Sequence, residues 1–192
     1  MVNISDQIKA GELNASIAVV ISSKPGVKGL ERAADLQVPA HVVDYASLGG
    51  DQPFADAIWQ HIRDAKADLI CLCGFLRRVI IPDEFHNKVL NIHPGLLPAF
   101  GGKGMYGHHV HEAVLAAGCK VSGCTVHFAN QEYDKGPILV QRCCPVVEGD
   151  TADDLAARVF EEECLAYPQA IKLIADGHVT VEAGNRTRIS SA

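Results

Sequence analysis

Four short apolar runs separated by helical segments set the class of fold open to this chain. Residues 16–22 (Ser-Ile-Ala-Val-Val-Ile-Ser), 40–43, 68–73 (Asp-Leu-Ile-Cys-Leu-Cys) and 88–92 show little polar alternation. For 16–22 and 68–73 that is the pattern of strands covered on both faces, and 40–43 and 88–92 read as short strands. Between them, residues 30–36 read as a short helix and residues 51–67 as a longer one, with Phe54, Ile58 and Ile62 at fourfold spacing. Ahead of the first run, residues 3–12 read as the rear half of a helix, with Ile4 and Ile8 on one face and Gly11 as a stop. Strand alternating with helix up to residue 92 predicts an α/β fold with a three-layer, doubly wound, mostly parallel sheet. The rhythm then changes. A helix over 106–117 is followed by strands at 120–128 and 137–144, joined by a polar loop, which predicts an antiparallel pair. Thr151 opens a long helix with acidic residues in its first turn, and Pro168 is expected to kink or split it. A single domain over residues 1–182 is expected, with residues 183–192 as a loose tail.

Charge and cysteine usage narrow the function classes. The formal net charge of −6 argues against a general nucleic-acid or anionic-membrane binder. No apolar run approaches the roughly 18 to 20 residues of a membrane span, and the first residues lack a signal-peptide pattern. Seven cysteines, five of them (Cys71, Cys73, Cys124, Cys143, Cys144) in apolar strand-like surroundings, fit buried thiols in a reduced cytoplasmic setting. Cys71 and Cys73 share a strand face but lack a second ligand pair for zinc. His108, His109 and His111 invite a metal reading too. His108 and His111 share a helix face, with no acid or cysteine partner in the pattern. No metal is expected.

The chemistry-bearing stretch is Val89-Leu-Asn-Ile-His-Pro-Gly-Leu-Leu-Pro98. Period-two alternation puts Asn91 and His93 on one side of an extended segment and Ile92 on the other. Pro94 then ends the strand, having no N–H for a ladder. An amide donor beside a titratable ring suits chemistry on a carbonyl, although two polar residues at a strand end also read simply as solvent-facing. A second segment about forty residues on, Ser122-Gly-Cys-Thr-Val-His-Phe followed by Ala-Asn-Gln-Glu-Tyr-Asp134-Lys-Gly-Pro, favours the catalytic reading.

Together with the Gly-Phe-Leu-Arg loop at 74–77, these two motifs resemble the folate-dependent formyltransferases, nearest to the branch acting on glycinamide ribonucleotide. The resemblance runs from Asn3 to about Gly177. It implies transfer of a formyl group from 10-formyltetrahydrofolate, as co-substrate, to the ribonucleotide amine in purine synthesis. Asn91, His93 and Asp134 match the family's catalytic trio. Leu76, Arg77, Arg78 and Val79 match one wall of the folate pocket, and Asn130, Gln131, Glu132, Tyr133 and Asp134 the other. Glu163 matches an acid on the ribonucleotide side, Lys103 lies in a loop near that side, and Leu97–Pro98 matches a cis peptide. His127 reads equally as a substrate contact or as a buried, hydrogen-bonded core histidine. Small-molecule substrates are implied, with a monomer or homodimer and no nucleic-acid or membrane partner.

Two departures accompany the resemblance. The family opens with a strand and a glycine-rich phosphate turn, whereas Met1-Val-Asn-Ile-Ser matches the helix that follows them. The expectation is that those elements precede Met1 in the complete protein. A shortened homologue that binds folate with little activity is the other reading. Residues 44–59 also carry no basic side chain where the family places an arginine near the folate tail. Within the enzymes, formyltetrahydrofolate deformylase, which shares the trio, is the competing activity.

Overall fold

The computed structural model describes residues 1–190 apart from Leu76 and Arg78. The chain gathers into two compact units, residues 1–70 with 77–86 and residues 71–76 with 87–192.

The first unit holds α1 (Val2–Lys9), β1 (Val20–Ser22), α2 (Lys28–Asp35), β2 (Ala40–Val42), α3 (Tyr45–Leu48) and α4 (Asp51–Asp64). Its core forms on α4, where the fourfold stripe of Phe54, Ile58 and Ile62 is buried together with Ala55 and Trp59. Trp59 stacks on Phe85 at 4.6 Å between centroids, and its indole N–H donates to the Ile80 carbonyl at 2.6 Å. The single turn of α3 is an addition to the predicted elements. Asp44 caps it by accepting from the Ala46 N–H, and Gly49 ends it in the left-handed region at φ 72°. β1 and β2 pair in parallel, Val20 opposite Ala40. The apolar run 16–22 gives a strand of three residues, and none of the run is buried, contrary to the expectation of a strand covered on both faces. β1 is bonded to β2 alone among the described residues, so one of its edges lacks a strand neighbour.

The second unit is built on a four-stranded sheet in the order β3 (Ile70–Leu72), β4 (Val89–His93), β5 (Val121–Phe128), β6 (Ile138–Pro145). The predicted antiparallel pair is β5–β6, and β4 also runs antiparallel to β5. Seven of the eight residues of β5 are buried, and strands bond along both of its edges. α5 (His108–Ala116) precedes β5, and α6 (Ala152–Ala175) follows β6. A capping box starts α6: the Thr151 hydroxyl accepts from the Asp154 N–H while the Asp154 carboxylate accepts from the Thr151 N–H. Pro168 does not split the helix, which runs unbroken for 24 residues. Proline removes one backbone bond, but this turn also buries Ala166, Tyr167, Ala170 and Ile171. The Tyr167 hydroxyl reaches the carbonyls of Leu72 and Leu90 at 3.0 and 3.1 Å and so ties α6 to β3 and β4.

After α6 come β7 (Val179–Glu182) and β8 (Arg186–Ile189), paired antiparallel. Much of the segment expected to be a loose tail is therefore a hairpin strand. Gly184 and Asn185 make its turn with φ 77° and 64°, a conformation that glycine and asparagine tolerate. Among the described residues no cysteine is in a disulfide; Cys124 and Cys144 are buried as expected, but Cys73 and Cys143 are exposed. No helix among the described residues is long and apolar enough to cross a membrane.

Candidate active site

Strand register assembles the site. β4 and β5 pair so that Asn91 lies opposite His127 and His93 opposite Thr125. Side chains of directly opposed residues share a face, so all four residues point to one side of the sheet. His93 and His127 are 3% and 2% exposed, and Asn91 is half-buried. The loop between β5 and β6 then delivers Asp134, whose φ of 56° is a left-handed value that aspartate tolerates better than most residues. Its Oδ2 lies 3.7 Å from His93 Nδ1 and its Oδ1 3.6 Å from His127 Nε2. The Gly102 N–H donates to Oδ2 at 2.8 Å. A Cβ at Gly101 would lie 2.4 Å from Leu97 Cδ2 and 3.3 Å from Asp134 Cβ, so a larger residue there would press on both side chains.

Carbonyl partners decide where the imidazole protons sit. His93 Nε2 is 2.8 Å from the Phe100 carbonyl, which can only accept, so Nε2 carries a proton. Nδ1, facing Asp134, is then protonated only in the imidazolium. His127 Nδ1 likewise donates to the Phe128 carbonyl at 3.0 Å, which leaves the neutral ring's Nε2 to accept from the Asn91 amide at 3.1 Å. One N–H of Asn91 is thereby fixed on His127, and the other remains for a ligand.

Burial and charge oppose one another here. Burial pulls the His93 pKa below its ordinary value; the Asp134 carboxylate and the Phe100 carbonyl push it up, and His127 lowers it further. A carboxylate beside an imidazole favours the imidazolium, and that is the sense in which Asp134 acts on His93. Its influence has that sign, but desolvation outweighs it, so His93 rests neutral at neutral pH. For Asp134 itself burial pushes upward. Each imidazole acts on it in its protonated form: His127, then the Gly102 N–H and His93, together outweigh burial and hold the carboxyl below its usual value.

A buried network that the sequence reading missed sets the floor of the site. Thr125 Oγ1 donates to the Gly95 carbonyl at 2.7 Å and accepts from the Leu97 N–H at 3.0 Å. The Gln141 amide donates both to Thr125 Oγ1 at 3.0 Å and to the Leu97 carbonyl at 2.9 Å. These bonds pin the 95–97 turn just ahead of the Leu97–Pro98 peptide, which is cis as expected. The available signal was spacing, since Thr125 stands two residues before His127 on one strand and so shares its face.

The remaining predicted residues are placed less centrally. Leu76 and Arg78 lie outside the described residues. Arg77 and Val79 belong to the first unit, where the Arg77 guanidinium stacks 3.7 Å over the Tyr45 ring. In the 129–134 loop, Asn130 Oδ1 accepts from the Glu132 N–H at 2.9 Å, and Gln131, Glu132 and Tyr133 are exposed. Lys103 is exposed one residue beyond the Gly102 donor. Glu163, on α6, has its pKa pushed up to about 7 by burial and acts electrostatically on Cys73, Cys124 and Cys164. Of the three adjacent histidines, His108 and His109 do have acid neighbours, Asp153 and Glu112, each at 3.4 Å on the surface. His111 is buried and its Nδ1 has no hydrogen-bond partner. Among the described residues no three His, Cys, Asp or Glu side chains are grouped to hold a metal ion.

An α/β fold that gathers an amide donor, an imidazole and a carboxylate at the end of a strand is equipped for transfer of an acyl-type group. The chain belongs to the formyl transferase family, whose profile matches residues 1–171. It is similar to the trifunctional purine biosynthetic protein adenosine-3 of Gallus gallus, with 42% identity over 88% of this chain and 17% of that protein. It is also similar to the chloroplastic phosphoribosylglycinamide formyltransferase of Vigna unguiculata, with 36% identity over 92% of this chain and 57% of that enzyme. The chain thus spans about a sixth of the first relative and just over half of the second. Among solved structures, glycinamide ribonucleotide transformylase 1 from Symbiobacterium toebii superposes with a TM-score of 0.92 at 41% identity, covering 98% of this chain and 87% of that one.

Proposed function

We propose that this chain transfers the formyl group of 10-formyltetrahydrofolate to the amine of 5'-phosphoribosylglycinamide, a step of purine biosynthesis. The observation that carries the proposal is the placement of Asp134 between His93 and His127, with Asn91 bonded to His127. Similarity to glycinamide ribonucleotide transformylase over nearly the whole chain supports the choice of substrate.

In this reading the ribonucleotide amine attacks the formyl carbon, and the carbonyl electron pair moves onto oxygen. The free N–H of Asn91 donates to that oxyanion. His127, being buried, serves by holding the Asn91 amide in place. The attacking nitrogen must lose one proton and the departing folate nitrogen must gain one. His93, neutral at rest, takes up a proton at Nδ1, where Asp134 stabilises the imidazolium. The proton returns to the folate nitrogen as its bond to the formyl carbon breaks. Residues 130–134 take the folate in this reading, and Glu163 and Lys103 take the ribonucleotide. With a pKa near 7, Glu163 can present either a hydrogen-bond donor or a charge to it. The protein works in the cytoplasm, as a monomer or homodimer, with small-molecule substrates only.

The test follows absorbance as the chain turns over 10-formyl-dideazafolate, with and without the ribonucleotide. Turnover that requires the ribonucleotide is expected. Formate release without it would replace the proposal by the deformylase activity. A folded chain that binds the folate but shows no turnover would make it a binding homologue.

A further inference from the structure

The carboxyl-terminal hairpin does more than close the chain. Asn185, at its tip, donates from Nδ2 to the Lys135 carbonyl at 2.6 Å, and Thr187 on β8 donates from Oγ1 to the Ile138 carbonyl at 2.6 Å. Both acceptors lie in the short segment between Asp134 and the body of β6. Ile138 stands opposite His127 across the sheet, at the place where the β5–β6 register slips. We propose that Asn185 and Thr187 are positioning residues for Asp134, a strap that sets the distance of its carboxylate from His93 and His127.

Three observations support a positioning role rather than simple docking. A cavity of about 450 Å³ opens beside the 134–136 turn, lined by Leu97, Asp134, Lys135, Asn185 and Arg186 among others. On that side the turn is held by the two hairpin bonds, while the Phe128 N–H on the Pro137 carbonyl at 2.9 Å holds it to β5. The turn is also conformationally demanding. Asp134 sits at φ 56°, and Gly136 passes so close to the Phe128 carbonyl that a Cβ would lie 1.7 Å from that oxygen. A segment held in such a state persists where its surroundings enforce it. Finally, Asn185 itself has φ 64°, a value asparagine accepts while keeping a side-chain amide, so one residue makes the hairpin turn and supplies the donor.

The inference rests on Asp134 acting through His93, and its test separates the two ideas. Asn185→Gly keeps the positive φ but removes the amide; Thr187→Val removes the hydroxyl at nearly constant shape; Thr187→Ser restores it. The first readout is an imidazole NMR titration of His93 in the unliganded full chain, with His127 and His111 followed as the neighbouring rings. Loss of the strap lets Asp134 withdraw, so the His93 midpoint should fall in Asn185→Gly/Thr187→Val and recover in Asn185/Thr187→Ser. The second is formyl transfer, where kcat should drop about 10- to 100-fold with both KM values within about twofold, the signature of a displaced catalytic group rather than a lost binding surface. A folded double variant with unchanged His93 midpoint overturns the inference, whatever its activity. Should the wild-type chain transfer no formyl group, the titration still decides on the strap, and only the proposed function falls. If the double variant does not fold, each single variant is read by the same titration.

Discussion

β1 and β5 start from similar material and end in different states. Both lack Asp, Glu, Lys and Arg, Val20–Ser22 within its longer apolar stretch and Val121–Phe128 with Ser122, Thr125 and His127 among its apolar residues. Among the described residues β5 is bonded along both edges and buries seven of its eight residues, whereas β1 is bonded to β2 alone and buries none. Apolar composition therefore proposes a strand, while the number of neighbours decides whether it becomes core. The same division separates scaffold from chemistry. Asn91, His93, His127 and Asp134 all stand on β5, on the strand beside it or on the loop leaving it. Rigid, fully satisfied strands hold side chains more narrowly than a half-paired ribbon does.

The largest effect should come from the group at the centre of the buried site. Asp134→Asn keeps the shape and an acceptor oxygen but removes the charge that stabilises a protonated His93. We expect kcat to fall about 10²- to 10⁴-fold. The sign of the pH effect is fixed too. The carboxylate raises the His93 pKa against burial, so its loss moves that pKa further below the ordinary value. Activity that needs neutral His93 then keeps its acid limb below pH 6.5 in the wild type and shifts it lower still in the variant. By contrast Val42→Thr, on the exposed strand β2, should leave the whole profile in place. A profile that moves with Val42 and not with Asp134 would reverse the assignment of chemistry to the second unit.

Gly136→Ala comes next, because the clash lies with backbone. The added Cβ would meet the Phe128 carbonyl oxygen at 1.7 Å, and a carbonyl in the β5 ladder cannot swing aside as a side chain can. A loss of about 3 kcal/mol or more is expected in chemical denaturation. Glycine at 29, with nothing within 4 Å of its would-be Cβ and an ordinary helical place in α2, offers the matched control in the first unit. There alanine should stabilise by about 0.5 to 1 kcal/mol.

The comparison of strands can be tested more directly by one truncation on each. Val126→Ala removes two methyl groups from a fully buried position on β5 and should cost about 2 kcal/mol. Val20→Ala, half-exposed on β1, should cost less than about 1 kcal/mol. Equal losses would mean that β1 is covered in solution as β5 is, and the contrast between the two strands would fail.

What the sequence disclosed follows the same line. Period two on Val89–His93 correctly placed Asn91 and His93 on a common face, because alternation is a local property of an extended chain. The β5–β6 pair, the α4 stripe and the Thr151 cap were legible for the same local reason. Burial of the 16–22 run was not, since it depends on what lies beside the strand. Several groups that shape the site are invisible in residue type: the Phe100 carbonyl that fixes the His93 proton and the Gly102 N–H on Asp134 are backbone atoms. Thr125 and Gln141 are ordinary polar strand residues until register sets them against the 95–97 turn. The hairpin at Gly184–Asn185 did carry a signal, a pair suited to positive φ between two short polar–apolar runs.

The smallest predicted effects compare one ion pair from each unit. Arg158 grips Asp150 with two bonds, at 2.7 and 2.9 Å, and the Val147 N–H adds a third at 2.8 Å. The Arg158 bond leads the causes that bring the Asp150 pKa down to about 2. A carboxylate whose folded pKa is depressed stabilises the fold above its unfolded value, and that contribution is lost as pH falls from about 4 toward 2. Asp150→Asn should therefore flatten the acid side of the stability curve in that window. Arg63 and Glu84, in the first unit, bond through a single carboxylate oxygen, and their side chains are 42% and 53% exposed. Water screens such a pair, so Glu84→Gln should change stability by about 0.5 kcal/mol or less, and salt should erase the difference. An Arg63–Glu84 pair that resisted salt would show that this surface of the first unit is shielded from water, and would remove one more distinction between the two halves of the chain.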